Sequence, residues 1–271
     1  MIGRRRDMLG VLALSAALAA LAASPPVATA DPAPAWTIRS LAAPTHFTPG
    51  DEVGRYQYEV RATNTGAAAT DGSPITLTDT VAAGLTVKDV ELPLRGPESA
   101  WESFSELCQV EASGAVETVR CTVPAEVPEA VEPTVLAPAE ELRMIVLVST
   151  PAGAEGTKLT NAAEVKGGGA GSASTTSQNE AGSGPAPAGF TDFGAALLGV
   201  DGHSNRGAGS IPNQYVTSFA VNTRPRFPSS PSSSSDSRLF DPAGGDVKDV
   251  RVALPPGLVG DPTVASSCTA Q

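Results

Sequence analysis

The chain has 271 residues and a formal net charge of −11, with 18 lysines and arginines against 29 aspartates and glutamates. That balance argues against a nucleic-acid partner, which needs a basic face to neutralise phosphates, and against anionic membrane surfaces. Aromatic residues make up only 4% of the chain, beside 27 glycines and 24 prolines, so a core must come mainly from Val, Leu, Ile and Ala between many turns.

Residues 1–30 read as an export leader. A basic start at Arg4, Arg5 and Arg6 precedes an apolar run from Leu9 to Ala22, and a small-residue cleavage signal, "ATA", ends before Asp31. This is the three-part layout of a secretory signal peptide. The apolar run is shorter than the ~20 residues a membrane span requires. Arg5-Arg6-Asp7-Met8-Leu9 also suits a twin-arginine signal, and the general and twin-arginine routes both stay open. Either route places the product outside the cytoplasm, secreted or at the cell surface, with no later segment apolar enough to act as a transmembrane anchor. Removal of the leader takes three arginines and leaves the mature form still more acidic.

From Trp36 to about Ser177 the pattern is strand, turn, strand. Tyr56, Tyr58, Val60 and Ala62 alternate with Arg55, Gln57, Glu59 and Arg61, the period-two signature of a half-buried strand. "SPITLTDTV" (73–81), "GLTVKDVEL" (84–92), "VETVRCTVP" (116–124) and "KLTNAAEVKG" (158–167) give further β segments. "ELRMIVLVST" (141–150) is apolar on both faces, which predicts a central strand. The Pro-punctuated acidic stretch 124–141 cannot form a long helix and reads as a loop with at most one short strand. Short strands separated by Gly, Pro and Asp turns at this spacing imply a β-sandwich.

After Gly167 the apolar pattern fades. "SASTTS" can pair as an edge strand, and 179–189 reads as a flexible Gly/Ser/Pro linker. A second β region, 190–271, starts at "GFTDFGAALLGVDG", continues with "NQYVTSFAVNTRP" and is broken by a Ser/Pro-rich loop at 227–238. Its last segment carries Val247, Val250, Val252 and Leu254, expected to supply apolar contacts. Three strands in about 80 residues cannot close a sandwich. The region must either pack on the first domain or lack its remaining strands, and the expectation is that it is incomplete.

The three cysteines are Cys108, Cys121 and Cys268. Outside the cytoplasm Cys108 and Cys121 can pair across twelve intervening residues. Closing such a loop contributes about 3 kcal/mol in the chain-entropy model. Zinc is the rival reading, but two thiols with no nearby His or third Cys make a poor site. Cys268 is left over three residues from the end, which fits a chain that stops inside a larger protein.

Three stretches in order, "YEVRATNTGAAATDGSPITLTDTVAAGLTV", "VRCTVP" and "LRMIVLVSTPAGAEGTKLTNAAEVKGGG", resemble the conserved repeat domain family DUF11. These are Ig-like β-sandwich modules of bacterial secreted and surface proteins. The resemblance rests on a corner at Asn64-Thr65-Gly66, a segment from Asp79 to Gly84-Leu85, and a late strand at Thr160-Asn161-Ala162-Ala163. Ala82 stands where the family often has Pro. About 120 residues are covered. "VKDVRVALPPGLVGDPTVASSC" is similar to a segment recurring in large exported actinobacterial proteins. No catalytic residues come with either resemblance; the family implies a spacer, adhesive or wall-associated role.

Candidate sites have bland rivals. His46 and His203 are the only histidines, and no G-x-S-x-G turn accompanies them, so a Ser-His-Asp hydrolase is disfavoured. "DGHSN" (201–205) looks superficially like a calcium loop but lacks the late bidentate Glu. "GGDVKD" (244–249) and "TDG" (70–72) read as solvated turns. Glu98, Glu102 and Glu106 would share one face of a helical turn; a glycosidase-like acid pair is the sharp reading, a short amphipathic helix over the end of the sandwich the bland one. The glycine run 167–171 lacks the Lys-Ser/Thr of a phosphate loop and reads as linker. Asn64 and Gly66 suit a tight turn in which Asn64 bonds backbone and both residues tolerate positive φ.

The sequence therefore predicts an all-β exported protein: an Ig-like sandwich over 36–178, a linker, and a second β region. No catalytic residue, metal or cofactor is expected. The leading function is a non-enzymatic spacer or adhesive element of the bacterial envelope, meeting a protein or glycan partner whose identity stays open. The alternative is a calcium- or carbohydrate-dependent binding module with its site in the loops.

Overall fold

A computed structural model describes residues 31–51, 56–95, 101–124, 126, 135–205, 210–225, 240–254, 256, 257 and 259. The leader, Glu98, the Ser/Pro-rich loop and Cys268 lie outside the described residues.

The described residues form an all-β protein. In chain order the strands are β1 (Trp36–Ala43), β2 (His46–Phe47), β3 (Tyr56–Asn64), β4 (Ile75–Thr80), β5 (Thr86–Glu91), β6 (Pro93–Arg95), β7 (Trp101–Ser103), β8 (Cys108–Ser113), β9 (Val116–Val123), β10 (Glu141–Ser149), β11 (Lys158–Gly167), β12 (Ala170–Ala181), β13 (Phe190–Leu198), β14 (Gln214–Val221), β15 (Thr223–Pro225) and β16 (Phe240–Pro242). A four-stranded sheet in the order β1-β3-β10-β5 faces a six-stranded sheet in the order β2-β12-β11-β4-β9-β8. Apart from the two-residue parallel pairing of β2 with β12, the sandwich ladders are antiparallel.

Alternation explains the layering. β3 buries Tyr56, Tyr58, Val60, Ala62 and Asn64 and leaves the residues between half-exposed. Strand β4 does the same with Ile75, Leu77 and Asp79. Tyr58, Val60, Met144, Val146 and Val148 from the first sheet meet Ile75, Leu77, Val119, Val123 and Val165 from the second, all without exposed surface. β10 lies between β3 and β5 and buries Ile145 and Leu147 on its other face as well, the burial expected of a central strand. Phe47 stacks on Tyr56, ring centroids 5.2 Å apart, and meets the edge of Tyr58, closing one end of the core.

Four expectations need correction. Among the described residues no helix carries these carboxylates: Glu102 lies on β7, paired with β6, and Glu106 lies in a single 3-10 turn, Ser105–Leu107. Phe104 is buried and its N–H donates to the Leu92 carbonyl, which holds the chain to the sandwich where a free helix of this length would be marginal. The glycine run is no linker either. Gly167, Gly168 and Gly169, all at positive φ, turn β11 back into β12. An added Cβ on Gly167 would strike the Pro74 carbonyl, and that glycine's own carbonyl accepts the Trp36 indole N–H at 2.9 Å.

The proposed linker is also shorter than expected, because β12 continues through Asn179, Glu180 and Ala181, and Ala181 is fully buried. Finally, Val247, Val250, Val252 and Leu254 stay 45–58% exposed on a segment outside any strand.

Among the described residues, the later region forms two two-stranded ribbons, β13-β14 and β15-β16, and packs on the sandwich. The Val200 carbonyl accepts Ala67 N–H at 3.1 Å and Ala33 N–H at 3.4 Å. Thr223 and Thr45 exchange two hydrogen bonds, and Arg39 on β1 pairs with Asp192 on β13 at 2.6 Å.

Candidate functional site

The Asn64 corner is a backbone clamp. Asn64 ends β3, where the inward parity of that strand buries its amide completely. Its Oδ1 accepts from Ala35 N–H (3.2 Å) and Gly66 N–H (3.1 Å); its Nδ2 donates to the carbonyls of Ala68 (2.8 Å) and Leu136 (3.0 Å). Both donors and both acceptor directions of the amide are thereby used on main chain. Gly66 is required for a reason other than the one expected. It is absent from the positive-φ residues, but an added Cβ would sit 2.6 Å from Ala35 N and overlap the Ala33 carbonyl. The corner is where Ala33 to Ala35, the end of β3 and the second region converge, since a Cβ added to Gly202 would strike Ala35 Cβ and Gln214 Nε2 donates to the Thr65 carbonyl.

Cys108 and Cys121 face one another in the register of β8 and β9 and form a disulfide with an S–S distance of 2.06 Å. Cys121 is fully buried, its sulfur 3.2 Å from Met144 Sδ of the opposite sheet. The bridge fastens the edge strand β8, whose residues Gln109 to Ser113 are all exposed, to the core.

A buried polar cluster was missed by motif reasoning. Asp79 of β4 and Asn161 of β11 have no exposed surface. Asn161 Nδ2 donates to Asp79 Oδ1 at 2.5 Å and to Ser40 Oγ of β1 at 3.0 Å; Ser177 Oγ of β12 donates to Ser40 Oγ at 3.3 Å. Beside them the buried Tyr58 hydroxyl donates to Asn179 Oδ1 at 2.8 Å. Burial pushes the Asp79 carboxyl up to about 7 against the opposing pull of the Asn161 hydrogen bond. Burial first, and then the Asp79 charge, hold the Tyr58 phenol well above its ordinary range. Among the described residues, Asp79 Oδ2 and Asn161 Oδ1 have no hydrogen-bond partner. The cluster can hold or release one proton, but its burial bars a substrate.

The signal that could have found it was parity. In "ITLTDT" Ile75, Leu77 and Asp79 share one face, so a strand that buries Ile75 and Leu77 must bury Asp79 too.

The remaining candidates are dispersed. His203 is exposed, and its N–H donates to Asp201 Oδ1 at 3.0 Å, an Asx turn that occupies the carboxylate of the calcium-like loop. His46 Nδ1 lies 3.2 Å from the Gly184 carbonyl. Asp71 likewise closes a turn onto Ser73 N–H at 2.8 Å, and its bonds to Ser73 hold its carboxyl below the usual range. Among the described residues no three His, Cys, Asp or Glu side chains are grouped to hold a metal, and no helix is long and apolar enough to cross a membrane.

Two grooves remain open. One, of about 480 Å³, runs between the sandwich edge and the β13-β14 ribbon; Thr37, Ser40, Thr175, Ser177, Asp192 and Ser218 contribute its polar lining. The other, about 390 Å³, is apolar and lies between the ribbon residues Phe190, Phe193 and Phe219 and the segment Val247 to Ala253.

No known protein family and no curated protein matches the sequence. Solved structures are distantly similar to it. The macrocyclase AvmM of alchivemycin A biosynthesis is 14% identical, with a TM-score of 0.35 over 56% of this chain and 90% of that one. The major pilin subunit BcpA of Bacillus cereus is 11% identical, with a TM-score of 0.36 over 68% of this chain and 52% of that one. A collagen-binding domain of a Staphylococcus aureus adhesin is 11% identical, with a TM-score of 0.33 over 56% of this chain and 99% of the domain.

Proposed function

We propose that this chain is a non-enzymatic exported module of the DUF11 type, serving as a spacer or adhesive element of the bacterial envelope. The observation that carries the reading is the Cys108–Cys121 disulfide, fastening an exposed edge strand to a tightly packed sandwich. Such a bond persists in an oxidising compartment, which agrees with the leader-like residues 1–30. The contact between Asp79 and Asn161 adds support, because it joins two of the motifs on which the family resemblance rests. A polar network across the sandwich and a covalent tie at its edge suit a part that must keep its shape while other parts bind.

Expression of the gene in a bacterial host of the same secretion type, followed by cell fractionation and thiol labelling, tests the reading. The protein should reach the surface or medium with Cys108 and Cys121 inaccessible to alkylation until reduced. Retention in the cytoplasm with both thiols reactive would contradict it.

A second reading, a carbohydrate-binding module, is favoured by the hydroxyl-lined groove beside β1 and β12. On this reading the glycan surface is the groove between the sandwich and the ribbon, where the sequence pointed to the loops. Retention of the full chain on a glycan array, lost on Asp192→Lys, would favour it over the spacer.

A further inference from the structure

Residues 246–254, "DVKDVRVAL", lie exposed beside the β13-β14 ribbon, in no strand, turn or helix. Among the described residues no backbone hydrogen bond is made by any of them. Yet the composition is that of a strand, with three valines and a leucine interleaved with charge. Val250, Val252 and Leu254 share the parity of one strand face and Asp249, Arg251 and Ala253 the other. An unpaired segment of this kind is a template for another strand.

The charges decide which strand. A two-fold axis through an antiparallel pair sets equivalent residues opposite one another, so one residue must face its own counterpart. Centring on Lys248 or Asp249 sets like charges together, a destabilising arrangement. Centring on Val247 pairs Asp246 with Lys248 but overlaps only residues 246–248 of the segment, whereas centring on Val250 avoids like charges and overlaps all of 246–254. The Val250 register sets Val250 against Val250, Asp249 against Arg251 twice over, Val247 against Ala253, and Lys248 against Val252. Both ion pairs then lie on one face; the other carries four valines flanked by Lys248, and Val250 and Val252 line the same groove as Phe190 and Phe193, which are 68% and 67% exposed.

We propose that residues 246–254 form the dimerisation strand of this protein, pairing antiparallel with the same segment of a second copy about Val250. The apolar groove beside the ribbon becomes continuous with that interface, which adds the aromatic surface that a nine-residue strand lacks on its own. The interface is isologous and closed, so it yields dimers rather than filaments.

Sedimentation equilibrium of the full chain tests the proposal. Wild type should dimerise reversibly; Asp249→Arg and Arg251→Asp should each weaken dimerisation by about tenfold or more, the ~1.4 kcal/mol or more expected from two opposed like-charge pairs. An equimolar mixture of the two variants should recover the dimer, because each then presents the charge the other needs. The double variant Asp249→Arg with Arg251→Asp should recover it as well. In a Cys268→Ser background, Val250→Cys should give a disulfide-linked dimer on mild oxidation while Leu254→Cys should not. A monomeric wild type, or charge variants that dimerise as wild type does, would overturn the proposal. Because all these positions are exposed, circular dichroism should show each variant folded as wild type, leaving the association constants to decide.

Discussion

The sandwich and the β13-β14 ribbon are built from the same kind of strand, yet only one of them hides what it carries. In the sandwich, Tyr58, Val60, Met144 and Val146 have no exposed surface. In the ribbon, Phe190 and Phe193 are about two-thirds exposed, Phe190 packing edge-to-face on Phe219. The difference is one of layers. Two facing sheets bury both inner faces, whereas the two-stranded ribbon has one face on the sandwich and, over the other, only the strandless segment Val247 to Ala253 across an open groove. Good alternation therefore makes a stable element only where a second sheet receives it, and the stability of the chain is expected to reside in residues 36–181.

The contrast can be broken most directly by paired truncations. Tyr58→Ala should cost about 3–5 kcal/mol by emptying the centre of the core, and Phe193→Ala should stay within about 0.5 kcal/mol, both read from denaturant midpoints. Equal losses would dissolve the distinction. Reduction of Cys108–Cys121, or Cys108→Ser with Cys121→Ser, should lower stability by about 3 kcal/mol, as a loop of this length implies, with β8 the first strand to lose amide protection. At the junction of the two regions, Gly66→Ala should cost about 1–3 kcal/mol, because the new methyl has no room beside Ala33 and Ala35.

Asp79 gives a pH signature that belongs to the sandwich alone. Its folded pKa, about 7, exceeds its ordinary value of 3.8, so the native state binds the extra proton. The resulting stabilisation is fully present below about pH 4 and is lost as pH rises towards 7, with a slope of at most about 1.4 kcal/mol per pH unit. Asp79→Asn should flatten that part of the unfolding free-energy profile. An unchanged slope in the variant would assign it to other groups. A small effect is expected at the Arg39–Asp192 pair. Both side chains are partly exposed, so Asp192→Asn should cost less than about 1 kcal/mol, visible as faster exchange in β13 and unchanged exchange in β3.

These contrasts also explain what could be read from the sequence. β3, β4 and β10 were legible because each buries a face or both, and burial writes itself into alternation or an apolar run. β8 was illegible because, beyond Cys108, its residues are exposed and carry no pattern; only the cysteine hinted at where it belongs. β12 is rich in Ser, Thr and Ala because much of it is exposed; "SASTTS" was readable as an edge strand, but the end of β12 at Asn179–Ala181 read as linker although its hydrogen bonds are those of a sheet.

The turn at Gly167–Gly169 could not be told from flexible chain, since glycine serves both. Asn64 announced a corner, but the need for Gly66 depends on Ala33 and Ala35, some thirty residues earlier, and no local pattern records such an approach. Asp79 was visible by parity and was passed over because it belonged to no catalytic motif.

Amide hydrogen exchange on the intact chain addresses the central distinction most directly. If the sandwich is the cooperative unit and the ribbon an appendage, β3, β10 and β11 should exchange only through global unfolding, while β13 and β14 exchange at least about tenfold faster through local opening. Exchange of β13 and β14 at the same rate as β3, by the same global route, would show a single cooperative unit and contradict it.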